Sequence, residues 1–220
     1  AIIQARMTST RLPVKILLPL SGAPLLQRML ERVSRITGLD AIWLAIPAGK
    51  DHDPIVDILP AGVKLFRGSE TDVLDRTFKA AKQANATVVM RITSDCPIID
   101  PTVSGEILTA FKNSPVVYAR TALTSGYPHG FDTEVFTMEA LASAHEEATT
   151  DDEREHVTPF IWRQPNRFPA LEIDHYPDLR YWRLTVDTPE DYQLVKQIFD
   201  ILFPRNPNFG FEELRKPFTT

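Results

Sequence analysis

The sequence predicts an α/β fold in which a mainly parallel sheet lies between two layers of helices. Short apolar segments alternate with segments whose apolar residues recur at helical spacing, from the amino terminus to about residue 119. Helix-start signals, a capping residue followed by proline, stand at Asp100-Pro101 and at Thr188-Pro189. Alternation of this kind is typical of parallel strands joined by crossover helices.

The first half of the chain supplies most of the predicted elements. In order they are a strand at 1–3, a helix at 24–37, a strand at 41–46, a short helix at 53–59, a strand at 63–66, a helix capped by Thr71 and ending at 84, a strand at 87–93, a helix from 101 to about 112 and a strand at 116–119. These elements account for the sheet and for most of its covering helices.

After residue 119 the pattern changes to Tyr, His, Gly and Pro turns mixed with strands and helices. We predict a strand at 131–136, helices at 137–148 and 151–163, a strand at 183–186 and a last helix from 189 to about 203. Residues 120–180 are interpreted as an inserted lobe of one domain spanning 1–220, which closes over a pocket, binds the acceptor and takes part in dimerisation.

Composition narrows the function. The 220 residues can bury one substantial core, and a net charge of −5 argues against a general nucleic-acid surface. No apolar run reaches membrane-spanning length, so no membrane partner is expected. The single cysteine excludes an internal disulfide and favours the cytoplasm. We expect that residues of the natural protein lie beyond both ends.

A cationic, hydroxyl-rich loop follows the first strand. It carries Arg6, Ser9, Arg11 and Lys15, and arginine, lysine, hydroxyl and backbone N–H groups together suit phosphates. The loop is neither a Walker A loop nor a GxGxxG turn, because it contains no glycine. From these residues alone, two interpretations of the loop remain: a phosphate-binding site and an ordinary basic surface loop.

Two aspartates are predicted just beyond strand ends. Asp95 follows the strand at 87–93, and Asp187 follows the one at 183–186. Mg²⁺ prefers a few carboxylates completed by phosphate oxygens and water. Turn or capping roles are the alternative, which the residues alone favour.

Six ordered motifs resemble those of the cytidylyltransferases that make CMP-activated sugar acids, the acylneuraminate and Kdo type, and above all their spore-coat polysaccharide branch. The motifs are QARMTSTRLPVK, FRGSETDVL, RITSDCPIIDP, YPHGFDTE, DEREHVTP and LTVDTPEDY. The resemblance runs from Ile2 to about Leu202. It implies a three-layer, Rossmann-like fold of the nucleotide-diphospho-sugar transferase kind, and transfer of CMP from CTP to a sugar acid with release of pyrophosphate.

The resemblance also implies roles for residues. Arg6, Arg11 and Lys15 would hold the triphosphate, and Asp95 and Asp187 would hold Mg²⁺ as the cofactor; these five form the expected catalytic set. The expected nucleotide contacts are Gln4, Ala5, Arg6, Ser9, Arg11, Lys15, Arg67, Gly68, Ser69 and Asp95. The expected acceptor contacts are Tyr127, His129, Asp132, Glu134, Arg154 and His156. Helix capping for the 69–72 segment, and an exposed charged helix start for the 152–156 segment, are the alternatives.

Val14 departs from the family pattern, which has glycine before the lysine. If that position has a positive φ, a β-branched residue strains or reshapes the loop. The expected partners are CTP and a sugar acid, with a homodimer as the assembly. A glycosyltransferase that uses a nucleotide sugar and a non-catalytic nucleotide-binding homologue are the competing interpretations. His52, which lies in no motif, is interpreted as incidental.

Overall fold

The computed structural model describes residues 1–121 and 126–216 of the chain. The strands are β1 (Ile2–Gln4), β2 (Pro19–Leu20), β3 (Ala23–Pro24), β4 (Ile42–Pro47), β5 (Val63–Gly68), β6 (Val88–Thr93), β7 (Tyr118–Thr121), β8 (Glu134–Thr137) and β9 (Ala170–Ile173). The α-helices are α1 (Leu25–Val33), α2 (Val73–Gln83), α3 (Pro101–Lys112), α4 (Met138–Glu147), α5 (Asp151–His156), α6 (Pro159–Trp162), α7 (Pro189–Leu202) and α8 (Phe211–Arg215), and 3-10 helices cover Lys15–Leu17 and Lys50–Ile58.

The central sheet has seven strands in the order β5-β4-β1-β6-β8-β7-β9. Every neighbouring pair is parallel except the two that involve β8, which runs antiparallel to β6 and β7. The short strands β2 and β3 form a separate ribbon. The predicted mainly parallel sheet is confirmed.

Helices cover both faces of the sheet. Successive residues of a strand point to opposite faces, so Ile3 packs into a core with α1, α3 and α7, whereas Ile2 packs into a second core with α2, α4 and α6. Both isoleucines are almost fully buried, and burial of a side chain of this size contributes roughly 1.5–3 kcal/mol. The two cores give the three-layer arrangement that the alternation of elements predicts.

Capping residues set the helix starts beside the sheet. Asp100 accepts hydrogen bonds from the backbone N–H groups of residues 102 and 103, and Thr188 forms a capping box with Asp191, both as predicted. The cap of α2 is Asp72 rather than the predicted Thr71, because the Asp72 carboxylate accepts from the Asp75 N–H. A shift of one residue places this carboxylate at the start of α2.

The predicted strand at 183–186 is wrong. Its backbone bonds go to separate partners: the Leu184 N–H donates to the His129 carbonyl at 2.7 Å, and the Val186 N–H donates to the Asp95 carbonyl at 2.8 Å. Arg183 forms only an isolated bridge with His129. The segment is therefore an extended tie between the 126–130 turn and the residues after β6.

The predicted helix at 151–163 is broken into α5 and α6. Val157, which is fully buried, has φ 72° and ψ −53° and interrupts the helix. The Thr158 N–H donates to the His156 carbonyl at 2.8 Å, which closes a γ-turn of the strained, positive-φ kind. Pro159 then begins α6, where a missing N–H costs nothing.

The sequence analysis did not predict β2, β3 and the 3-10 helix Lys15–Leu17, nor two elements in the second half of the chain. β9 is a four-residue edge strand with an alternating, half-exposed pattern, and α8 spans five residues. Both are too short to give a periodic signal. Residues 120–180 contribute β8, β9 and the end of β7 to the central sheet, and contribute α4, α5 and α6 to one helical layer.

Candidate active site

A polar cleft of about 250 Å³ opens at the carboxyl ends of β1 and β6. Gln4 and Thr93, the last residues of these strands, are register partners, so the loops that follow them begin side by side. The cleft is lined by Gln4, Ala5, Arg6, Ser9, Thr10, Arg11, Lys15, Val73, Arg76, Arg91, Thr93, Ser94, Asp95, Glu155, His156 and Asp187. Ligands of open α/β sheets bind at this edge.

The loop after β1 is closed on itself just before Lys15. Val14 has φ 53° and ψ 20°, and its N–H donates to the Met7 carbonyl at 3.2 Å. A β-branched residue in this left-handed conformation is strained, which is the outcome expected from the missing glycine. The 3-10 helix Lys15–Leu17 follows and is anchored by the fully buried Ile16.

His52 holds the other side of this loop. Its Nδ1 accepts a hydrogen bond from the Met7 N–H at 3.1 Å, and the histidine is 1% exposed. Its Nε2 lies 3.7 Å from the Glu70 carboxylate, which also accepts from the Thr8 hydroxyl at 3.1 Å. The interpretation of His52 as incidental is wrong, because this ring ties the loop to the segments after β4 and β5.

Lys15 lies between the two aspartates. Its Nζ is 2.9 Å from Asp187 Oδ1, 3.7 Å from Asp95 Oδ2 and 2.7 Å from the Val186 carbonyl oxygen. The structure therefore brings the two predicted magnesium ligands to one ammonium group, and the lysine side chain is only 11% exposed. One cation already neutralises charge where these carboxylates meet.

Asp187 has two further cationic partners. Arg11 Nη2 lies 3.0 Å from Asp187 Oδ1, and Arg183 Nη2 lies 3.0 Å from Oδ2. Arg183 is held in turn by Asp191 at the start of α7, and this hydrogen bond raises the pKa of the Arg183 guanidinium. The helix cap therefore helps to fix the carboxylate at the cleft.

The two carboxylates fit a magnesium ion. Mg²⁺ binds through one or two carboxylates and takes its other ligands from water and substrate phosphates. Within residues 1–121 and 126–216, no three His, Cys, Asp or Glu side chains are grouped as a protein-only metal site. Asp95 and Asp187 therefore suit a hard cation that arrives with a phosphate ligand.

The end of β5 lies beside the cleft and is braced from α2. Arg76 is almost fully buried, and its Nη1 donates to the Ser69 carbonyl, while the Ser69 hydroxyl accepts from the Asp72 N–H at 3.0 Å. A Cβ on Gly68 would lie 2.9 Å from the Phe66 ring, so only glycine fits there without movement. Burial lowers the pKa of Arg76 to about 10. Arg67 instead pairs with Asp53 at 2.5 Å.

The predicted acceptor residues are scattered. His156 lines the cleft, whereas Tyr127 packs its ring against His175 and Phe211. Arg154 donates from Nε to Asp72 Oδ2 at 3.0 Å and from Nη1 to the His145 carbonyl at 2.9 Å. This geometry gives Arg154 a bracing role and does not support its predicted contact with substrate.

The turn before β8 holds the remaining acceptor candidates. His129 is exposed beside Arg183, and Asp132 accepts from the Gly130 N–H at 2.9 Å. Burial raises the pKa of Asp132. Glu134 accepts hydrogen bonds from three side chains and touches the cleft only through Arg91.

Sequence reasoning missed four residues that shape the site: His52, Arg76, Arg91 and Arg183. A signal existed for Arg91, which interrupts an apolar strand in TVVMRIT. The roles of the other three depend on contacts between distant segments. Of the predicted residues, the structure places Gln4, Ala5, Arg6, Ser9, Arg11, Lys15, Asp95, His156 and Asp187 in one cleft.

Comparison with known proteins decides the family. The family model described as Cytidylyltransferase matches residues 1–216. The chain belongs to the cytidylyltransferase family. It is 35% identical over 208 residues to the spore coat polysaccharide biosynthesis protein SpsF of Bacillus subtilis, covering 90% of this chain and 85% of SpsF. As a family member it is a nucleotidyltransferase, and the resemblance found in the sequence is confirmed.

Solved structures agree with this assignment. A cytidylyltransferase from Leptospira borgpetersenii superposes with a TM-score of 0.85 at 30% identity, covering 94% of this chain and 93% of that one. A CMP:2-keto-3-deoxy-manno-octonic acid synthetase complexed with CTP superposes with a TM-score of 0.66 at 16% identity, covering 90% and 97%. This second likeness shows that the cytidylyltransferase chain shares the fold of that synthetase. No helix among the described residues is long and apolar enough to cross a membrane.

Proposed function

We propose that the cleft transfers CMP from CTP to the hydroxyl of a sugar acid and releases pyrophosphate. The observation that carries this proposal is the meeting of Lys15 and Arg11 with Asp95 and Asp187 at the carboxyl ends of the strands. A triphosphate requires several cations, and a bound metal requires carboxylates beside them. The cleft contains both groups.

Binding of CTP would replace ion pairs within the protein by ion pairs to the triphosphate. Arg11 and Lys15 now neutralise Asp187, and Arg6 pairs loosely with Glu155 at 3.3 Å. Phosphate oxygens offer the same cations charge-assisted hydrogen bonds. We infer that the triphosphate takes over Arg6, Arg11 and Lys15, and that Asp95 and Asp187 are thereby released to hold Mg²⁺.

When it is bound, magnesium supplies charge neutralisation at the phosphate oxygens. The residues of the chain position the reactants. The acceptor oxygen forms a bond to the α-phosphorus, the bond from that phosphorus to the bridging oxygen of the β-phosphate breaks, and pyrophosphate leaves with the electron pair. The proton of the acceptor hydroxyl passes to solvent water. Arg6, Arg11 and Lys15 stabilise the negative charge that moves onto the departing oxygens.

Ser69 and the Gly68 backbone are the proposed contacts for the cytosine base, because Arg76 and Asp72 fix this segment beside the cleft. His156 is a proposed contact for the acceptor, because it lines the cleft and is exposed. We further propose that the enzyme acts as a homodimer, in the cytoplasm where CTP is made, and serves surface polysaccharide synthesis. The kinship with SpsF supports this last step.

A pyrophosphate-release assay tests the proposal. The protein is incubated with Mg²⁺, each of the four nucleoside triphosphates and a panel of sugar acids. We expect release only with CTP and an acceptor. Activity with a finished nucleotide sugar, and no pyrophosphate from CTP, would indicate a glycosyltransferase instead. Absence of both activities, with CTP still bound, would indicate a non-catalytic homologue.

A further inference from the structure

Arg91 lies in the floor of the cleft, in the middle of β6. Its neighbours Met90 and Ile92 point into the core on the α1 side, so Arg91 points to the opposite face, toward the cleft. Its side chain is only 11% exposed. A buried guanidinium is costly unless other groups pair with it, so its partners explain why it is there.

Glu134 is the anionic partner of Arg91. The two residues are register partners in the β6–β8 ladder, and Arg91 Nη1 donates to Glu134 Oε2. The other carboxylate oxygen, Oε1, accepts from the Tyr118 hydroxyl at 2.5 Å and from the Thr158 hydroxyl at 2.6 Å. Three donors therefore fix Glu134, which in turn fixes one end of the Arg91 guanidinium.

Gln4 is the second partner of Arg91. Arg91 Nε donates to Gln4 Oε1 at 3.1 Å, which directs the amide oxygen toward the guanidinium and the amide nitrogen away from it. In the described part of the chain, neither Gln4 Nε2 nor Arg91 Nη2 has a hydrogen-bond partner. Neither nitrogen is fully buried, and both residues line the cleft. Two oriented donors thus remain available at the cleft.

We propose that Arg91 and Gln4 bind the carboxylate of the acceptor sugar acid, which makes Arg91 a specificity-determining residue. The inference rests on the proposed function. A guanidinium offers planar, directed N–H donors, and two converging donors match the two oxygens of a carboxylate. The other cations have different roles: Arg6, Arg11 and Lys15 are assigned to the triphosphate. Arg154 pairs with Asp72, and Arg76 donates to the Ser69 carbonyl.

The strained turn at Val157 supports a functional purpose for this network. Val157 is fully buried at φ 72°, and the turn that it forms holds the Thr158 hydroxyl against Glu134. Backbone strain of this kind persists where the surrounding structure enforces it, and it is concentrated at functional sites. The chain therefore accepts a costly conformation beside the residue that orients Arg91.

Calorimetry on the full chain tests the proposal. The protein is first saturated with Mg²⁺ and α,β-methylene-CTP, which binds without turnover. It is then titrated with 3-deoxy-manno-octulosonate and N-acetylneuraminate, each also as its methyl ester, which lacks the carboxylate charge. We expect the parent protein to bind one acid at least about tenfold more tightly than its ester, as a charged hydrogen bond implies.

Removing only Arg91 would leave the Glu134 carboxylate buried and unpaired, so the informative variant is Arg91→Gln combined with Glu134→Gln. We expect this variant to bind the acid about 10- to 100-fold more weakly, with the affinity for the ester and for α,β-methylene-CTP within about twofold of the parent values. Arg167→Gln, at an exposed pair with Glu147, is the matched control and should change neither affinity.

An unchanged preference for acid over ester in the double variant would overturn the proposal, as would a parent protein that binds neither form or does not distinguish them. A purely structural role would weaken the acid and the ester equally. Failure of the proposed function is seen separately, because it appears as loss of nucleotide binding in the first step. Glu134→Gln alone should give an intermediate loss of acid affinity, since Arg91 then loses its fixed partner.

Discussion

Val14→Gly should be more stable than Val14→Ala, which reverses the usual order of these two residues. Val14 has φ 53°, and a left-handed conformation costs an L-residue about 1–2 kcal/mol, which glycine avoids. Glycine loses about 0.4–1 kcal/mol more in chain entropy than alanine does. Both variants lose the valine methyl groups equally, at a residue that is 44% exposed. The net preference for glycine is therefore about 0.5–1 kcal/mol, or about 1–4 °C in Tm for a chain of this size.

The two variants are compared by urea unfolding and by calorimetric Tm. The matched control is Val56, an exposed valine in the 3-10 helix Lys50–Ile58, which has no positive φ. At this position Val56→Ala should be more stable than Val56→Gly, by about 0.4–1 kcal/mol. If alanine were also the better residue at position 14, the strain assigned to Val14 would be refuted. Val14→Gly should bind CTP with the parent affinity or more tightly, because the loop keeps its conformation without strain.

Three further outcomes follow from the site. Asp95→Asn and Asp187→Asn should each keep Tm within a few degrees of the parent value, because the shape of the side chain is kept. Each should lower kcat about 100-fold or more, because the charge that holds Mg²⁺ is lost; near-parent turnover of either variant at limiting Mg²⁺ would make the substituted residue a structural cap. His52→Leu should raise the KM for CTP, whereas His52→Asn, which keeps an acceptor at the position of Nδ1, should retain most of the affinity; equal effects would remove the anchoring role. Tyr118→Phe should lower the free energy of unfolding by about 1–2 kcal/mol at pH 7, because the hydrogen bond from Tyr118 to Glu134 is lost. This difference in stability between the parent and the variant should narrow above about pH 10. Burial raises the folded pKa of Tyr118 above its unfolded value near 10, so the parent loses stability as pH rises while the variant does not; a constant gap in urea unfolding would contradict this.

Local pattern was sufficient to predict the sheet and its covering helices. The β-branched run before Asp95 and the cap at Thr188 each follow from residues adjacent in sequence, and the structure has both elements. The prediction of a strand at 183–186 failed because the backbone hydrogen bonds of this segment go to the His129 and Asp95 carbonyls. Such distant partners leave no periodic pattern in the sequence. The helix break at Val157 was not predicted for the same reason, since contacts with distant parts of the chain enforce it.

The cleft was predicted by combining residue chemistry with motif order. The Arg, Lys and Asp types pointed to phosphate and metal, and the resemblance tied Lys15 to Asp95 and Asp187, which the structure places together. His52 could not be assigned because its role depends on a partner 45 residues away in sequence. Arg91 was visible as a charge within an apolar strand, but its partner Glu134, 43 residues away, was not. Buried polar contacts of this kind leave little trace in a single sequence.

The central claim is that this cleft binds CTP together with magnesium, and a direct calorimetric titration tests it. The protein is titrated with CTP, UTP, ATP and GTP in the presence and absence of Mg²⁺, and Lys15→Ala is titrated in parallel. We expect CTP to bind more tightly than the other three nucleotides, Mg²⁺ to strengthen binding, and Lys15→Ala to weaken it about tenfold or more, because one charged contact to the phosphates is lost. Equal affinity for all four nucleotides, or parent-like binding by Lys15→Ala, would contradict the proposed site.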